Sequence, residues 1–452
     1  MPPMIDKTHS ITLISPATNY DLELRNGKSN AQLLSFQRMP RMGLLMLEAL
    51  TSPEWEVQLL DERVDVVAPQ MIKSSLIGIS VMTNTAPRAF ELARQFKSLG
   101  KTVVFGGYFP SLSPGLALAD PHVDSIVIGG ADNVWPTLLE DYKRGQLRRQ
   151  YQNAFKENNF RLPPINYKLL GPDKGYNGHI TQIQSTLGCK FSCQFCAIPQ
   201  FYGGRFMLRA MDDLIEEITC APTRRIAFID DNLLNSSAYL DELCEKIAPL
   251  DKLWSAQVSM DIRGSQKLIK KMARAGCYWV HLGVESLDKA TLQEQKKKQN
   301  DVKKYLDTFS MFRDEGISVS TGIILGFPNE TPSVFDNTQE FLDRAWLDAV
   351  SFHYYTCYPG YPEYRQLQER GQLITEDLSH YDTYHPIIRT KHFTAEKLVE
   401  NVEALKKHFY KPLQIASRAG HGLLNSYSGV GRIVMGGALG YLNSRRGLPI
   451  YL

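Results

Sequence analysis

Short apolar runs bounded by turn residues alternate with stretches of helical periodicity along most of the chain, the pattern of repeated strand and helix units that build parallel sheets. In the first third, strands are expected at residues 11–15, 57–60, 76–81, 103–105 and 125–128, and 3.6-residue periodicity appears at 42–50, 87–99, 112–119 and 134–142. Five strands with helices between them predict a doubly wound, Rossmann-like α/β domain over residues 1–142, with its ligand at the carboxyl ends of the strands. Those ends are glycine-rich. Gly106-Gly107 and Gly129-Gly130 each follow a strand, where a missing side chain lets the backbone come close to a ligand.

Residues 143–178 carry charge runs, Pro163-Pro164 and Gly171-Pro172 without a sustained period, and read as an ordered connection. The alternation resumes over 179–370, with strands expected at 181–184, 226–228, 253–258, 279–283, 318–325 and 349–355. Residues 371–452 read as a mainly helical extension. Within it, residues 419–443 are rich in Gly, Leu, Val and Met. Glycines and Arg432 break this stretch too often for a bilayer span, so it reads as an apolar lid or a peripheral membrane contact.

Composition changes this picture little. With 452 residues, 43% hydrophobic and 22% charged, the chain is an ordinary globular protein of two or three domains, and a net charge of +3 gives no argument for nucleic acid. No secretory pattern opens the chain, and seven cysteines, an odd number, fit a reducing compartment; the expected location is cytoplasmic.

Three of those cysteines carry the chemistry. Cys189, Cys193 and Cys196 stand at C-x-x-x-C-x-x-C spacing, so one short loop can bring three thiolates together. A 4Fe-4S cluster has four irons, and three cysteines leave one iron open to a small molecule. Zinc would usually take a fourth Cys or His nearby. The nearest, His179 and Cys220, are not at zinc-site spacing.

With Phe195 directly before the last cysteine, this motif resembles the signature of the radical S-adenosylmethionine (SAM) enzymes. The resemblance implies a partial (β/α)6 barrel, SAM chelated to the open iron, and SAM cleavage to a 5'-deoxyadenosyl radical. It also implies SAM contacts from Phe195, Arg209 (carboxylate), Asp230 and Asp231 (amino group), Gln257 and Ser259, Glu285 (ribose), and Gly322 and Gly326 (backbone). Acids at strand ends also serve as helix caps. Lys296-Lys297-Lys298-Gln299-Asn300 resembles a family segment but reads equally well as a solvated face.

The first domain resembles the cobalamin-binding domain that precedes the radical core in one large subfamily. The likeness rests on Pro40-Arg41-Met42-Gly43-Leu44, Asp61-Glu62 and the Gly106-Gly107 loop. It implies corrin contacts from Gly106, Gly107, Gly129 and Gly130. Gly129-Gly130-Ala131-Asp132 departs from the subfamily's G-E-G-E, and the Asp-x-His-x-x-Gly motif is absent, Asp120-Pro121-His122 being read as a loop. The resemblance then implies cobalamin without a histidine ligand, the alternative being a Rossmann-like domain that has lost its ligand.

Together these resemblances imply a cobalamin-dependent radical SAM methyltransferase, related to radical SAM methylases and the anaerobic Mg-protoporphyrin ester cyclase. Its partners would be a small-molecule substrate and a reductant such as flavodoxin or ferredoxin. The rivals are radical cyclisation, rearrangement or oxidation without methyl transfer, and an iron-sulfur regulatory or scaffold protein. No catalytic side chain is assigned.

Overall fold

Strands buried on both faces need helices on both sides, and the first sheet is built that way. The structure, a computed structural model, describes residues 9–26, 38–155, 158–170, 176–425 and 427–445. Gly171-Pro172 of the expected connection lie outside the described residues. Strands β1 (His9–Ser15), β2 (Trp55–Asp61), β3 (Leu76–Ser80), β4 (Thr102–Gly106), β5 (Ser125–Ile128) and β6 (Gln150–Gln152) form one parallel sheet in the order β2-β1-β3-β4-β5-β6. One apolar core, including Phe96, Phe105 and Ala89, covers one face; Leu13, Leu45 and Trp135 belong to the core on the other. The sixth strand was not expected. It comes from the segment read as a connection, and its exposed-buried-exposed pattern is that of an edge strand too short to show a period.

The connection also contributes β7 (Asn159–Phe160) to a small sheet ordered β7-β10-β9, with β9 (Thr186–Gly188) antiparallel to β10 (Phe206–Arg209). The remaining strands are β8 (Ile180–Ile183), β11 (Arg225–Phe228), β12 (Leu253–Val258), β13 (Cys277–Glu285), β14 (Ser318–Leu325) and β15 (Ala349–Tyr354). They form a second parallel sheet in the order β15-β14-β13-β12-β11-β8. Each strand pairs with its predecessor in the series, so every carboxyl end lies at the same edge, where parallel α/β folds bind ligands.

The C-terminal helices close the opposite, amino-terminal edge. Buried Asp348 accepts from Val319 N (2.8 Å), Ser318 Oγ (3.1 Å) and Tyr427 Oη (3.0 Å), and Arg432 Nε donates to Ser318 Oγ (2.5 Å). This network ties the helix Val430–Arg445 to the starts of β14 and β15. Among the described residues no helix is long and apolar enough to cross a membrane.

The two glycines after β4 differ. Gly107 has φ +95°, and a Cβ there would stand 2.9 Å from Val81 O and 3.0 Å from Val81 N, whereas at Gly106 the nearest atom is Val127 Cβ at 3.9 Å. Gly107→Ala should therefore lose about 1–3 kcal/mol of stability in denaturant unfolding, and Gly106→Ala less than about 0.5 kcal/mol.

Candidate active site

The loop carrying the three cysteines has backbone N–H groups that must be satisfied away from water. The end of β11 supplies the acceptors. Asp230 accepts from Ser185 N (2.9 Å), Ser185 Oγ (3.0 Å) and Thr186 N, and Asp231 accepts from Gly188 N (3.0 Å). Asn235 accepts from Lys190 N (3.0 Å) and donates to Gly188 O (2.8 Å). Burial pushes Asp230 up to about 7 and Asp231 up to about 6, partly offset by these donors. The two acids expected to face SAM thus separate. Asp230 is buried and spent on the loop; Asp231 keeps one bond to it and lines a cavity.

Around the thiols, Asn232 Nδ2 points at Cys189 Sγ (3.8 Å) and Gln299 Nε2 at Cys193 Sγ (3.7 Å). Burial raises all three thiols, Cys196 to about 12, while the Lys297 ammonium pulls Cys193 down. Among the described residues no three His, Cys, Asp or Glu side chains converge as ligands of a single metal ion would. A cubane cluster presents a different iron to each cysteine, and N–H donors to the sulfurs are what such a cluster uses, so this sulfur set fits it.

Glu285 stands at a bulge in β13, with φ +65°, and its Oε1 pairs with Lys297 Nζ at 2.6 Å. Lys297 is buried and lies 5.4 Å above the Phe195 ring. Phe195 also packs edge-on against Phe327 (6.5 Å), and its carbonyl accepts from Tyr361 Oη (3.4 Å). The segment read as a possible solvated face is half inside: Lys297 and Gln299 are buried while Lys296 and Lys298 are exposed.

The other expected SAM contacts divide similarly. Gln257 is exposed on the sheet, and Ser259 N donates to Asn232 Oδ1 (3.1 Å). Gly326 N donates to buried Glu330 (2.8 Å), and a Cβ on Gly326 would meet Leu398 at 2.7 Å. Gly322 sits between His281 and His353. Arg209 needs correcting. It is 3% exposed, and its guanidinium is held by Glu217 and by Gln184 O (3.3 Å), so it is withdrawn from any carboxylate of a ligand. Cys357 is fully buried and pushed up to about 12, which keeps it a protonated thiol.

The carboxyl edges of the two sheets face one cavity of about 310 Å³. Gly106, Gly107, Gly129 and Gly130 line it from one side, and Leu187, Phe201 and Asp231 from the other. Tyr108 and Phe201 pack across the gap at 4.6 Å. Gly129 has φ +78°, and a Cβ would strike the Phe155 ring at 2.8 Å, so this glycine, like Gly107, is required by the chain itself. Most of its lining side chains are apolar, with Asp132, Gln184 and Asp231 among the polar ones, a wall suited to a large cofactor with an apolar body and polar edges.

Two family descriptions match the chain in tandem: B12 binding domain over residues 35–139 and Radical SAM superfamily over residues 183–342. The chain is a radical SAM enzyme with a B12-binding domain. Its cofactors are therefore a 4Fe-4S cluster, SAM and cobalamin. Among curated relatives, bacteriochlorophyllide d C-12(1)-methyltransferase of Chlorobaculum tepidum is 28% identical over 83% of this chain and 84% of its own. The C-8(2)-methyltransferase of the same organism is 28% identical over 81% and 84%. The solved structure of the radical SAM methyltransferase TsrM from Kitasatospora setae, with cobalamin and [4Fe-4S] cluster bound, shares the fold. Its TM-score is 0.69 at 14% identity, covering 97% of this chain and 99% of that one.

Two outcomes test this site. Alanine at Cys189, Cys193 and Cys196 should abolish cluster iron and its paramagnetic signal, while replacing Cys220, Cys244, Cys277 and Cys357 should preserve both. Asp230→Ala, which strands three buried donors, should lower stability by about 3 kcal/mol or more, and Asp230→Asn, which keeps an acceptor, by much less, as read from unfolding midpoints.

Proposed function

We propose that the protein methylates an unactivated carbon of a tetrapyrrole-like substrate. The observation that carries this reading is the shared cavity: the glycine-rich edge of the B12-binding sheet and the cluster-bearing edge of the radical core open onto the same space. The two bacteriochlorophyllide methyltransferases among the relatives support the choice of substrate class. When bound, SAM on the cluster supplies the radical that removes hydrogen, and the corrin supplies the methyl group.

The chain's own residues hold and shield these groups. Cys189, Cys193 and Cys196 would ligate the cluster, with Asn232 and Gln299 donating to two of the sulfurs. Glu285, aimed by its bulge, would accept from the ribose through the oxygen that Lys297 leaves less engaged, and Asp231 would meet the SAM amino group from the cavity side. Tyr108 against Phe201 keeps water from the passage between the two halves. Gly106, whose missing side chain opens into the cavity, would give the corrin its closest backbone approach.

A small reductant such as flavodoxin or ferredoxin would deliver the electron. The helices Pro412–Leu424 and Val430–Arg445 would offer a membrane contact as well: Leu423 is 69% and Leu424 88% exposed, Met435 is 59% exposed, and no Asp or Glu follows Glu403 in the sequence. Exposed apolar side chains in an acid-free, basic segment suit an anionic membrane surface.

Anaerobic reconstitution with methyl-labelled SAM, followed by mass analysis of the products, should show label in the substrate. Protein made with ample cobalamin should carry a corrin spectrum that Gly106→Phe removes while cluster iron is retained. Turnover by corrin-free protein without label transfer would instead favour cyclisation or oxidation.

A further inference from the structure

The second sheet turns a polar strip away from its helices. Ala256, Val258, Val280, Leu282 and Val319 are buried in the core beneath, so the alternate residues Gln257, His281 and Ser320, paired in register, face the opposite side. Gly283, Gly322 and Ser351 form the next row toward the carboxyl edge, followed by His353 beside Ile324. Two imidazoles therefore flank a row of small residues, below the Glu285–Lys297 pair. Gln257 is exposed and both histidines are half-buried, whereas Ser320, Gly322 and Ser351 behind them are buried.

The two histidines are not equivalent. His353 has both ring nitrogens engaged, Nδ1 with Thr383 Oγ1 (3.0 Å) and Nε2 with Ser351 Oγ (2.9 Å). His281 uses only Nδ1, at 3.1 Å from Ser320 Oγ. That hydroxyl also accepts from the Trp279 indole N–H (2.8 Å) and lies 3.4 Å from Val280 O. Nε2 has no hydrogen-bond partner among the described residues. Burial lowers the pKa of both rings, which keeps them neutral. Beside Nε2 is Gly322, where a Cβ would stand 3.6 Å away.

We propose that His281 Nε2 is the axial ligand for the metal of a chelated tetrapyrrole substrate, and that Gly322 keeps its approach open. This rests on the tetrapyrrole reading above and adds how the macrocycle is recognised. A neutral imidazole oriented by a hydrogen bond at its other nitrogen is a ready metal ligand. No other His, Cys, Asp or Glu joins it in a three-ligand group among the described residues. A bare ion needs such a group. A metal held in a macrocycle brings four equatorial nitrogens and needs one axial partner, which is what this site offers.

The test titrates the reconstituted protein, without SAM, with zinc protoporphyrin IX and with metal-free protoporphyrin IX. The zinc chelate should bind about tenfold or more tightly than the free base, with a Soret band shifted to the red by imidazole ligation. His281→Ala should lose both the preference and the shift while keeping its iron content and unfolding midpoint, and added imidazole should restore them. Gly322→Ala, whose new methyl meets only ordinary contacts at 3.5–3.8 Å, should weaken the zinc chelate more than the free base. Equal affinity for the two macrocycles, or an unchanged His281→Ala, would overturn the ligand assignment and leave the substrate class standing. Binding of neither macrocycle overturns the tetrapyrrole reading and the ligand assignment with it.

Discussion

The loop that would hold the cluster depends on two neighbouring carboxylates at the end of one strand. Ser185, Thr186 and Gly188 present N–H groups inside the protein, and each unsatisfied donor would cost about 1–3 kcal/mol. Asp230 and Asp231 satisfy all three. The same bonds lock β9 in place, and β9 in turn positions Leu187 at the cavity wall. Cluster loop, strand end and inter-domain cavity are therefore set by one group of hydrogen bonds, and its disturbance would be felt at all three.

A second constraint acts on the opposite side of the cysteines. Val284 is an extra residue in β13, and the bulge rotates Glu285 into a left-handed conformation that costs a non-glycine residue roughly 1 kcal/mol. The carboxylate so aimed pairs with a buried lysine, and removing either partner would leave the other charged and desolvated, a loss of about 3–5 kcal/mol. Lys297 therefore neutralises Glu285 while lowering the pKa of Cys193. One ammonium serves the acid and the thiolate together.

Every strand of the two large sheets except the edge strand β6 was legible because parallel strands buried on two faces are written as short apolar runs, and the cysteines because their spacing is dense. Roles that depend on the direction of a polar side chain were not legible. Lys296 to Gln299 are all polar, so no alternation of hydrophobicity marks the two that turn inward. Arg209 follows the cluster loop as a SAM ligand would, but Glu217 meets it from the following helix, a tertiary pairing the sequence does not mark. The glycines at 107 and 129 read as space for a ligand, yet Val81 and Phe155 already require them.

Those two glycines bear on how such a cavity tolerates change. A glycine held by its own chain cannot vary even if the ligand is lost, whereas Gly106, with nothing nearer than 3.9 Å, has no such restraint. The glycine-rich edge therefore mixes positions fixed by folding with a position open to the ligand. The same distinction applies in the radical core, where a Cβ at Gly283 would meet Glu285 Oε1 at 2.5 Å, while one at Gly322 would find ordinary contacts. In each sheet, then, one of these glycines is demanded by its immediate neighbours and another would accept a methyl group without strain, and only at the second kind of position can a ligand's shape select the residue.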